Sequence, residues 1–394
     1  MKPVYLDNNA TTMAAPEVIE EMLPYFGEFY GNPSSMHSFG GQTGRTIAQA
    51  RQRLAEALGC EPREIIFTSC GTEGDNTAIH SALASQPDKR HIVTTRVEHP
   101  AVLNVAQNLE ERGYDVTYLN VDGKGRLDLD ELTKSLRKDT ALVSVMYANN
   151  ETGTVFPIPE IAAIVKERGI LMHTDAVQAV GKIPIDLKTL PVDFLALSGH
   201  KLHAPKGVGA LFARKGAPFR PFMLGGHQER GRRAGTENVA SIVGLGKAVE
   251  LAAAGIGEEN SRVRALRDRL ERGLIAAIPD AIINGDVENR LPNTSSVAFK
   301  YVEGEAILLM LDQFGVCASS GSACTSGSLE PSHVLRAMGV PFTFAHGSIR
   351  FSLSRYNTDE DVDVVLRELP GVIERLRAMS PFSAKTDEKP ACTC

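Results

Sequence analysis

Short apolar runs alternate with helical patterns between about residues 44 and 215, and this alternation constrains the fold more than any other feature of the chain. The strand-like runs are residues 65–68, 92–95, 116–119, 142–146, 170–173, 194–197 and 209–213. Helical patterns fall at residues 47–58, 73–83, 100–112, 128–137 and 158–168. Strands that alternate with helices favour a mostly parallel sheet covered on both faces. The last strand follows its neighbour so closely that we expect it to run antiparallel.

The expected pattern of helices and strands changes near residue 260. A long helix is expected to begin near Ser261, because apolar residues recur at helical spacing from Val263 to Leu274. Beyond it, the expected elements are strands at 295–299 and 349–353 and helices at 304–313, 332–338 and 358–377. This mixture predicts a second, smaller α+β domain. The predicted division is a large domain over 15–260, a small domain over 1–14 and 261–380, and a flexible tail over 381–394.

The charge and cysteine content disfavour several classes of protein. The 394 residues carry 42 Lys and Arg against 48 Asp and Glu, and the basic residues form no large cluster, which argues against a nucleic-acid partner. The sequence contains no run of 18 apolar residues, so it predicts no membrane-spanning helix, and the first residues do not resemble a signal peptide. We therefore expect a cytoplasmic protein without a membrane partner. Its six cysteines are too few for a disulfide framework and are expected to be thiols.

Gly71 and Thr72 follow the strand at 65–68, within the stretch TSCGTEGDN. A glycine permits a tight turn, and the free amides at a helix N-terminus, next to a hydroxyl, suit a phosphate. An ordinary helix cap is the alternative interpretation. The P-loop pattern is absent, which disfavours a nucleoside triphosphate.

Two further polar residues follow strands of the same predicted sheet. Asp175, in HTDAVQ, could hold a cationic ring nitrogen at the carboxyl end of a strand. Lys201, in SGHK, could form a Schiff base if it were partly desolvated. Taken alone, each has an ordinary alternative, a turn aspartate or a surface lysine. Together with the phosphate motif, they supply the three contacts that pyridoxal phosphate requires.

Motifs along most of the chain carry a family resemblance. They are VYLDNNATT (4–12), GNPSSMHSFG (31–40), TEGDN (72–76), VEHPAV (97–102), NNETG (149–153), HTDAVQ (173–178), SGHKLHAPKG (198–207), RAGTEN (233–238) and SSGSACTSGSLEPSHVL (319–335). The chain is identified as a member of the class-V, aminotransferase-fold cysteine desulfurases. Within them it resembles the NifS/IscS group, and NifS most closely, from Tyr5 to about Leu376. The resemblance implies the fold type I architecture of aspartate aminotransferase, with pyridoxal phosphate as the cofactor.

The resemblance also implies roles for individual residues. Lys201 would carry the cofactor, Asp175 would pair with its ring nitrogen, and His99 would lie over the ring and transfer protons. The other cofactor-binding residues would be Gly71, Thr72, Ser198 and His200 at the phosphate and Asn150 and Gln178 near the phenolic oxygen.

Two further implied contacts concern the neighbouring subunit and the substrate. Thr236 would reach the phosphate of the neighbouring subunit's cofactor, which implies a homodimer. Arg350 would bind the substrate carboxylate by a bidentate contact, with Asn150 beside it. Arg355 is the nearby alternative.

Cys324 determines the predicted reaction. It lies in a run of small residues, 319–328, and such a segment is expected to be exposed and mobile. The resemblance implies that its thiolate takes the sulfur of L-cysteine, so that L-alanine leaves and a persulfide remains. That persulfide could transiently bind iron or an iron–sulfur cluster. Cys60, Cys70 and Cys317 are expected to be structural.

The implied sulfur acceptor is an iron–sulfur scaffold protein similar to NifU or IscU, in nitrogenase cluster assembly. A pyridoxal phosphate-dependent aminotransferase fits the same cofactor site but leaves Cys324 without a role, and a selenocysteine lyase also remains open. A non-catalytic thiol carrier or cluster-binding protein is the alternative from another class, suggested by Cys392 and Cys394. The cysteine spacing typical of iron–sulfur or zinc sites is missing, which weighs against it.

Overall fold

The structure is a computed structural model that describes residues 3–320 and 331–380. Its strands are β1 (Val4–Tyr5), β2 (Ile65–Thr68), β3 (His91–Thr95), β4 (Asp115–Leu119), β5 (Thr140–Ser144), β6 (Leu171–Asp175), β7 (Phe194–Ser198), β8 (Gly209–Ala213), β9 (Ala281–Asn284), β10 (Thr294–Phe299), β11 (Val316–Cys317) and β12 (Ser348–Ser352). Its helices are α1 (Pro16–Met22), α2 (Pro24–Gly27), α3 (Ser38–Leu58), α4 (Gly71–Ala84), α5 (Pro100–Glu111), α6 (Leu129–Ser135), α7 (Ile158–Glu167), α8 (Val239–Glu258), α9 (Arg264–Ala277), α10 (Gly304–Asp312), α11 (His333–Ala337), α12 (Phe342–Ala345) and α13 (Asp359–Met379).

The main sheet of the described residues has the strand order β2-β8-β7-β6-β5-β3-β4. Strands β3 to β7 pair in parallel, whereas β8 runs antiparallel to both β2 and β7. Every residue of β2, β5, β7 and β8 is buried, as expected for a sheet covered on both faces. The predicted α/β fold with a mostly parallel sheet is therefore confirmed, and so is the antiparallel strand at 209–213.

Functional motifs lie at one edge of this sheet. Strand β6 ends at Asp175, and β7 runs parallel to it and ends at Ser198. Strand β2 ends three residues before Gly71, the first residue of α4. The carboxyl ends of parallel strands are where α/β proteins bind their ligands.

A second apolar cluster forms around the antiparallel sheet β12-β10-β9. It combines side chains of α9, α10 and α13 with Val4 and Leu6 from the N-terminal segment. This cluster is separate from the two that cover the main sheet, which supports the predicted division into a large and a small domain. The division itself, with boundaries near residues 14 and 260, stays a prediction. The predicted tail over 381–394 lies outside the described residues.

The predicted start of a helix near Ser261 is wrong. Helix α8 continues through a π-helical turn, Glu259–Val263, into α9, so that one helix spans Val239–Ala277. On the sequence alone, the glycines of α8 argue against a helix at these positions. In the structure, two of these glycines permit α8 to pack closely against neighbouring helices. A Cβ on Gly246 would lie 2.8 Å from the Cα of Ala50 on α3, so only glycine fits this crossing.

The same helix, Val239–Ala277, is long and apolar enough to pass a length and hydropathy test for a membrane span. Half of its most apolar stretch is buried inside the protein, and length and hydropathy alone are weak evidence for a span. Ile242, Leu245 and Val249 on this helix belong to the main apolar core.

Candidate active site

A cavity of about 450 Å³ opens at the carboxyl ends of the central strands. The residues predicted from the sequence that line it are Gly71, Thr72, His99, Asn150, Asp175, Gln178, Ser198, His200, Lys201 and Arg350. Segments distant in sequence therefore converge at one cavity. Cys324 lies outside the described residues.

The start of α4 and the end of β7 form an anion-binding corner of this cavity. Cys70 is the N-cap of α4, and its side chain does not cap the helix, so the first amides remain available to a ligand. The hydroxyl Oγ of Ser198 is buried and has no hydrogen-bond partner among the described residues. A Cβ on Gly71 would lie 2.6 Å from Cγ2 of Val177, so a larger residue would narrow the corner. A phosphate group would satisfy both the helix amides and the orphaned hydroxyl.

His200 adds a neutral donor to the same corner. Its Nδ1 lies 3.2 Å from Oγ1 of Thr11. Burial, followed by the positive charge of Lys201, lowers the pKa of His200 to about 4. The ring is therefore uncharged at neutral pH and would contact a phosphate through an N–H group rather than as a cation.

Asp175 is a buried carboxylate at the end of β6. Its Oδ1 accepts the backbone N–H of Val177 at 2.9 Å. Burial raises the pKa of Asp175, while His99 and Lys201 act in the opposite direction. A cation placed against this carboxylate would favour its ionised form, which is the contact that a protonated ring nitrogen makes.

Lys201 lies in a single turn after β7, with its amine directed at the N-terminal segment. Its Nζ donates to the backbone carbonyls of Asn9 and Ala10, the latter at 2.7 Å. Burial, and then the positive charges of Arg350 and Lys182, lower its pKa to about 7. A large fraction of the amine is therefore uncharged at neutral pH and able to attack a carbonyl carbon.

His99 is the N-cap of α5 and also lines the cavity. Its Nδ1 accepts the backbone N–H of Ala101 at 3.1 Å, which assigns the proton of the neutral ring to Nε2. Burial lowers the pKa of His99, while the nearby charge of Asp175 acts in the opposite direction. His99 can thus hold a proton at Nε2 without breaking the helix cap.

Arg350 on β12 is 2% exposed and lines the cavity. Its Nη1 donates to the backbone carbonyl of Asn150 at 3.0 Å, and its Nη2 donates to Oδ1 of Asp7 at 2.9 Å. Its Nε is buried and lacks a partner within residues 3–320 and 331–380. Arg355, the alternative from the sequence, lines a different and smaller cavity.

Thr236 lies apart from the main cavity of the described chain. It lines a separate cavity of about 210 Å³ together with Ser69 and Arg233. The guanidinium of Arg233 makes a bidentate contact with Glu73 on α4, at 2.8 and 3.1 Å. The predicted contact of Thr236 with a neighbouring subunit stays a prediction.

The described cysteines are half-buried rather than core residues. Cys70, predicted to be structural, also lines the main cavity. Burial raises the pKa of the Cys60 thiol to about 12, and it raises that of Cys317 as well. Among the described residues, no group of three or more His, Cys, Asp or Glu side chains could hold a metal ion. The predicted cluster contact of Cys324 falls outside those residues.

Several residues of the site carry no role in the sequence analysis. The Oγ of Ser332 donates to Oε2 of Glu151 at 2.5 Å, and both residues line the cavity. Glu98, next to His99 in the sequence, is buried outside the cavity lining, and burial raises its pKa to about 8. Asp75 lines the cavity 3.3 Å from the buried ring of His173. The further cavity-lining residues are Asn9, Ala10, Cys70, Pro100, Met146, Ala148, Val177, Pro331, His333 and Arg336. The sequence motifs around residues 9 and 333 could have indicated that some of these residues line the site, but they could not predict how deeply the side chains are buried.

The orphaned hydroxyl, the free helix amides, the buried carboxylate and the desolvated amine fit pyridoxal phosphate. The family described as aminotransferase class-V matches residues 4–365. A cysteine desulfurase of Trichormus azollae is 64% identical over 388 residues, covering 98% of this chain and 96% of the relative. The cysteine desulfurase NifS of Azotobacter vinelandii is 59% identical over 383 residues, covering 97% of this chain and 95% of the relative.

Solved structures agree with these relatives. A NifS-like protein superposes with a TM-score of 0.90 at 42% identity and covers 95% of this chain and 100% of its own. A structure of SspA in complex with cysteine gives a TM-score of 0.80 at 35% identity, covering 90% of this chain and 99% of its own. The chain therefore belongs to the class-V aminotransferase family and, within it, to the pyridoxal phosphate-dependent cysteine desulfurases.

Proposed function

We propose that the main cavity is the site at which the chain removes sulfur from L-cysteine and transfers it to Cys324, leaving L-alanine and a persulfide. One observation carries this proposal. The amine of Lys201, the carboxylate of Asp175 and the anion-binding corner at Gly71 border the same cavity, although they follow three different strands. An amine, a partner for the ring nitrogen and a phosphate site are the contacts that this one cofactor requires.

Pyridoxal phosphate supplies an electron sink that makes the hydrogen on the substrate α-carbon acidic. Lys201 would hold it covalently, and Asp175 would keep its ring nitrogen protonated. The residues that would bind its phosphate and its phenolic side are Gly71, Thr72, Ser198, His200, Asn150 and Gln178.

Proton transfer in this proposal depends on two groups of the chain. A large fraction of the Lys201 amine is uncharged near neutral pH, so it can accept the α-proton of the substrate. His99 holds a proton at Nε2 and can exchange it with the substrate thiol. Arg350, held by Asp7 and the carbonyl of Asn150, would fix the substrate carboxylate.

Cys324 would attack the substrate sulfur. A sulfur–sulfur bond forms as the carbon–sulfur bond breaks, the electron pair stays with the substrate carbon, and protonation there yields L-alanine. Support comes from the residues that flank the segment 321–330. Ser319 exchanges backbone hydrogen bonds with Arg350, and Ser332 and His333 line the cavity. Both described ends of the segment that contains Cys324 therefore border the site.

A homodimer is part of the proposal. Exposed apolar side chains lie on α1 and α2 and in the loops that follow them, and others lie at residues 222–224. They are Ile19, Leu23, Phe26, Tyr30, Met36, Phe222, Met223 and Leu224. Met223 is tied to the segment of Thr236, because its carbonyl accepts the N–H of Ala234. A second copy of the chain that covers these side chains would bring Thr236 to its cofactor site.

The proposed sulfur acceptor is an iron–sulfur scaffold of the NifU or IscU kind, in a cytoplasmic pathway that serves nitrogenase. The name of the Azotobacter vinelandii relative, NifS, supports this assignment. A pull-down and sulfur-transfer assay with both scaffolds would distinguish them.

The direct test of the proposed reaction is to incubate the purified chain with L-cysteine and to measure sulfide and L-alanine. Cys324→Ala is expected to keep the cofactor and lose sulfide release, whereas Cys60→Ala serves as a matched control. Sulfide release by Cys324→Ala at the wild-type rate would refute the nucleophile assignment. Parallel assays with L-selenocysteine and with a 2-oxo acid separate the lyase and aminotransferase alternatives.

A further inference from the structure

A second buried lysine lies behind Lys201. Lys182 lies four residues after Gln178, in the turn that follows β6, and is 7% exposed. Its Nζ donates to the backbone carbonyl of Gln178 at 3.1 Å and lies 3.4 Å from Oε1 of the same residue. Its own carbonyl accepts from Nδ2 of Asn260 at 2.8 Å. Both ends of Lys182 are therefore held in place.

Lys182 and Lys201 share the wall of a small cavity of about 30 Å³, roughly the space of one water molecule. Glu259 and Arg355 complete the charged part of that wall. Glu259 begins the π-helical turn Glu259–Val263, and its Oε2 is buried without a hydrogen-bond partner in the described part of the chain. Single π-helical turns inside α-helices are frequent at functional sites.

The contacts of Gln178 give Lys182 a positioning effect. The ammonium of Lys182 faces Oε1 of Gln178, which assigns the amide oxygen to that side. Nε2 then donates one hydrogen to the carbonyl of Asn9 at 2.9 Å. Its second hydrogen remains as a donor for the main cavity, which Gln178 also lines.

We propose that Lys182 is a positioning residue for the cofactor site, which orients the Gln178 amide and keeps a positive charge next to Lys201. This inference rests on the proposed role of Lys201. It assigns a task to a buried charge that the reaction itself does not use.

The charges around the two lysines support this role of Lys182. Two ammonium groups that share the wall of a small cavity repel each other, so one of them tends to lose its proton. Burial lowers the pKa of Lys182 to about 8, and the nearby carboxylate of Glu259 acts in the opposite direction. Burial, Arg350 and Lys182 together bring the pKa of Lys201 to about 7.

The charged and titratable groups around both lysines enter this balance. Those that act on Lys201 are Asp7, His99, Asp175, Lys182, His200 and Arg350. Those around Lys182 are His200, Lys201, His203, Arg355 and Glu259.

The test follows the pH dependence of the rate at which added pyridoxal phosphate attaches to the apoenzyme, read by visible absorbance. Lys182→Gln removes the charge and keeps a donor for Gln178. It is expected to raise the midpoint of the profile and to slow attachment at pH 7 by roughly 3- to 10-fold. Attachment at high pH should approach the wild-type rate. Lys182→Arg should retain the wild-type midpoint, and the control is Lys188→Met, an exposed lysine six residues further on.

The outcomes separate the alternatives. A Lys182→Gln profile that superposes on the wild type overturns the inference, and so does a Lys182→Arg variant that shifts as much as Lys182→Gln. If Lys182→Gln does not fold, Lys182→Met carries the same charge test, with a raised midpoint in support and an unmoved one against. The Lys201→Ala variant distinguishes a failure of the inference about Lys182 from a failure of the proposed cofactor role of Lys201. Attachment to Lys201→Ala at the wild-type rate would refute the proposed cofactor role itself.

Discussion

Arg350 and Asp7 form an ion pair of 2.9 Å that joins strand β12 to the N-terminal segment at the wall of the cavity. The two residues are 343 positions apart in sequence. Arg350 also donates to the backbone carbonyl of Asn150, so one guanidinium connects three segments of the chain. This arrangement fixes the plane of the guanidinium before a substrate carboxylate arrives, which reduces the entropy lost on binding.

Arg350→Lys should weaken substrate binding, because an ammonium cannot reproduce two directed contacts and still offer a fork to a carboxylate. We expect KM for L-cysteine to rise roughly 10- to 100-fold, which corresponds to about 1.4 to 2.7 kcal/mol, while the cofactor absorbance is retained. Arg355→Lys should raise KM less. Steady-state kinetics of both variants provide the measurement, and a larger KM effect from Arg355→Lys would contradict the assignment.

His99→Asn should separate the two roles of this residue. Asparagine is a good N-cap, so helix α5 should keep its stability, whereas the group that exchanges a proton is lost. We expect kcat to fall about 100-fold or more, with a thermal midpoint close to that of the wild type. His99→Ala should also lose about 1 kcal/mol of stability with the cap. An unchanged kcat in His99→Asn would exclude proton transfer by this ring.

Gly71→Ala should strain the anion-binding corner. The added Cβ would lie 2.6 Å from Cγ2 of Val177, and a β-branched side chain adapts poorly. We expect a loss of about 1 to 3 kcal/mol in the free energy of unfolding and weaker binding of pyridoxal phosphate. The double variant Gly71→Ala with Val177→Ala should regain most of both. Failure of the second substitution to restore binding would place the strain elsewhere.

Arg233→Gln should destabilise the chain in a pH-dependent way. Burial alone raises the pKa of Glu73, but hydrogen bonds from Arg233 and Ser69 outweigh it and hold this pKa below its ordinary value. Because the folded-state pKa is depressed, the stabilisation is present above the unfolded value, about 4.3, and is lost as pH falls through the folded value.

The expected loss for Arg233→Gln at pH 7 is about 2 kcal/mol, less than for a fully buried pair because the arginine side chain is partly exposed. Urea unfolding at pH 7 and at about pH 3.5 measures the effect, and the difference from wild type should shrink at the lower pH. A difference that is equal at both pH values would show that the ion pair is not its source.

Much of the site could be predicted from the sequence because its central residues follow apolar strands. Asp175 ends β6 and Lys201 comes three residues after β7, so the parallel pairing of these strands brings both residues to one edge. Gly71 begins the helix after β2, which runs in the same direction because β8 is antiparallel to both β2 and β7. The resemblance to a known family extended this reasoning to residues such as Arg350. The antiparallel direction of β8 was also predictable, since only a short connection links it to β7.

Other parts depend on packing between distant segments, which local patterns do not contain. The ion pair between Asp7 and Arg350 forms only when the N-terminal segment meets strand β12. Lys182 looks like a surface charge in the sequence, and its burial accompanies the contact between the turn after β6 and the π-helical turn. The roles predicted for Thr236 and Cys324 remain predictions.

The most direct test of the account is to locate the sulfur after the purified chain has reacted with isotopically labelled L-cysteine. Mass spectrometry of its peptides is predicted to find one added, labelled sulfur atom on Cys324, formed in proportion to L-alanine and absent from Lys201→Ala. Labelled sulfur on another cysteine, or an unmodified Cys324 in a chain that releases L-alanine, would contradict it.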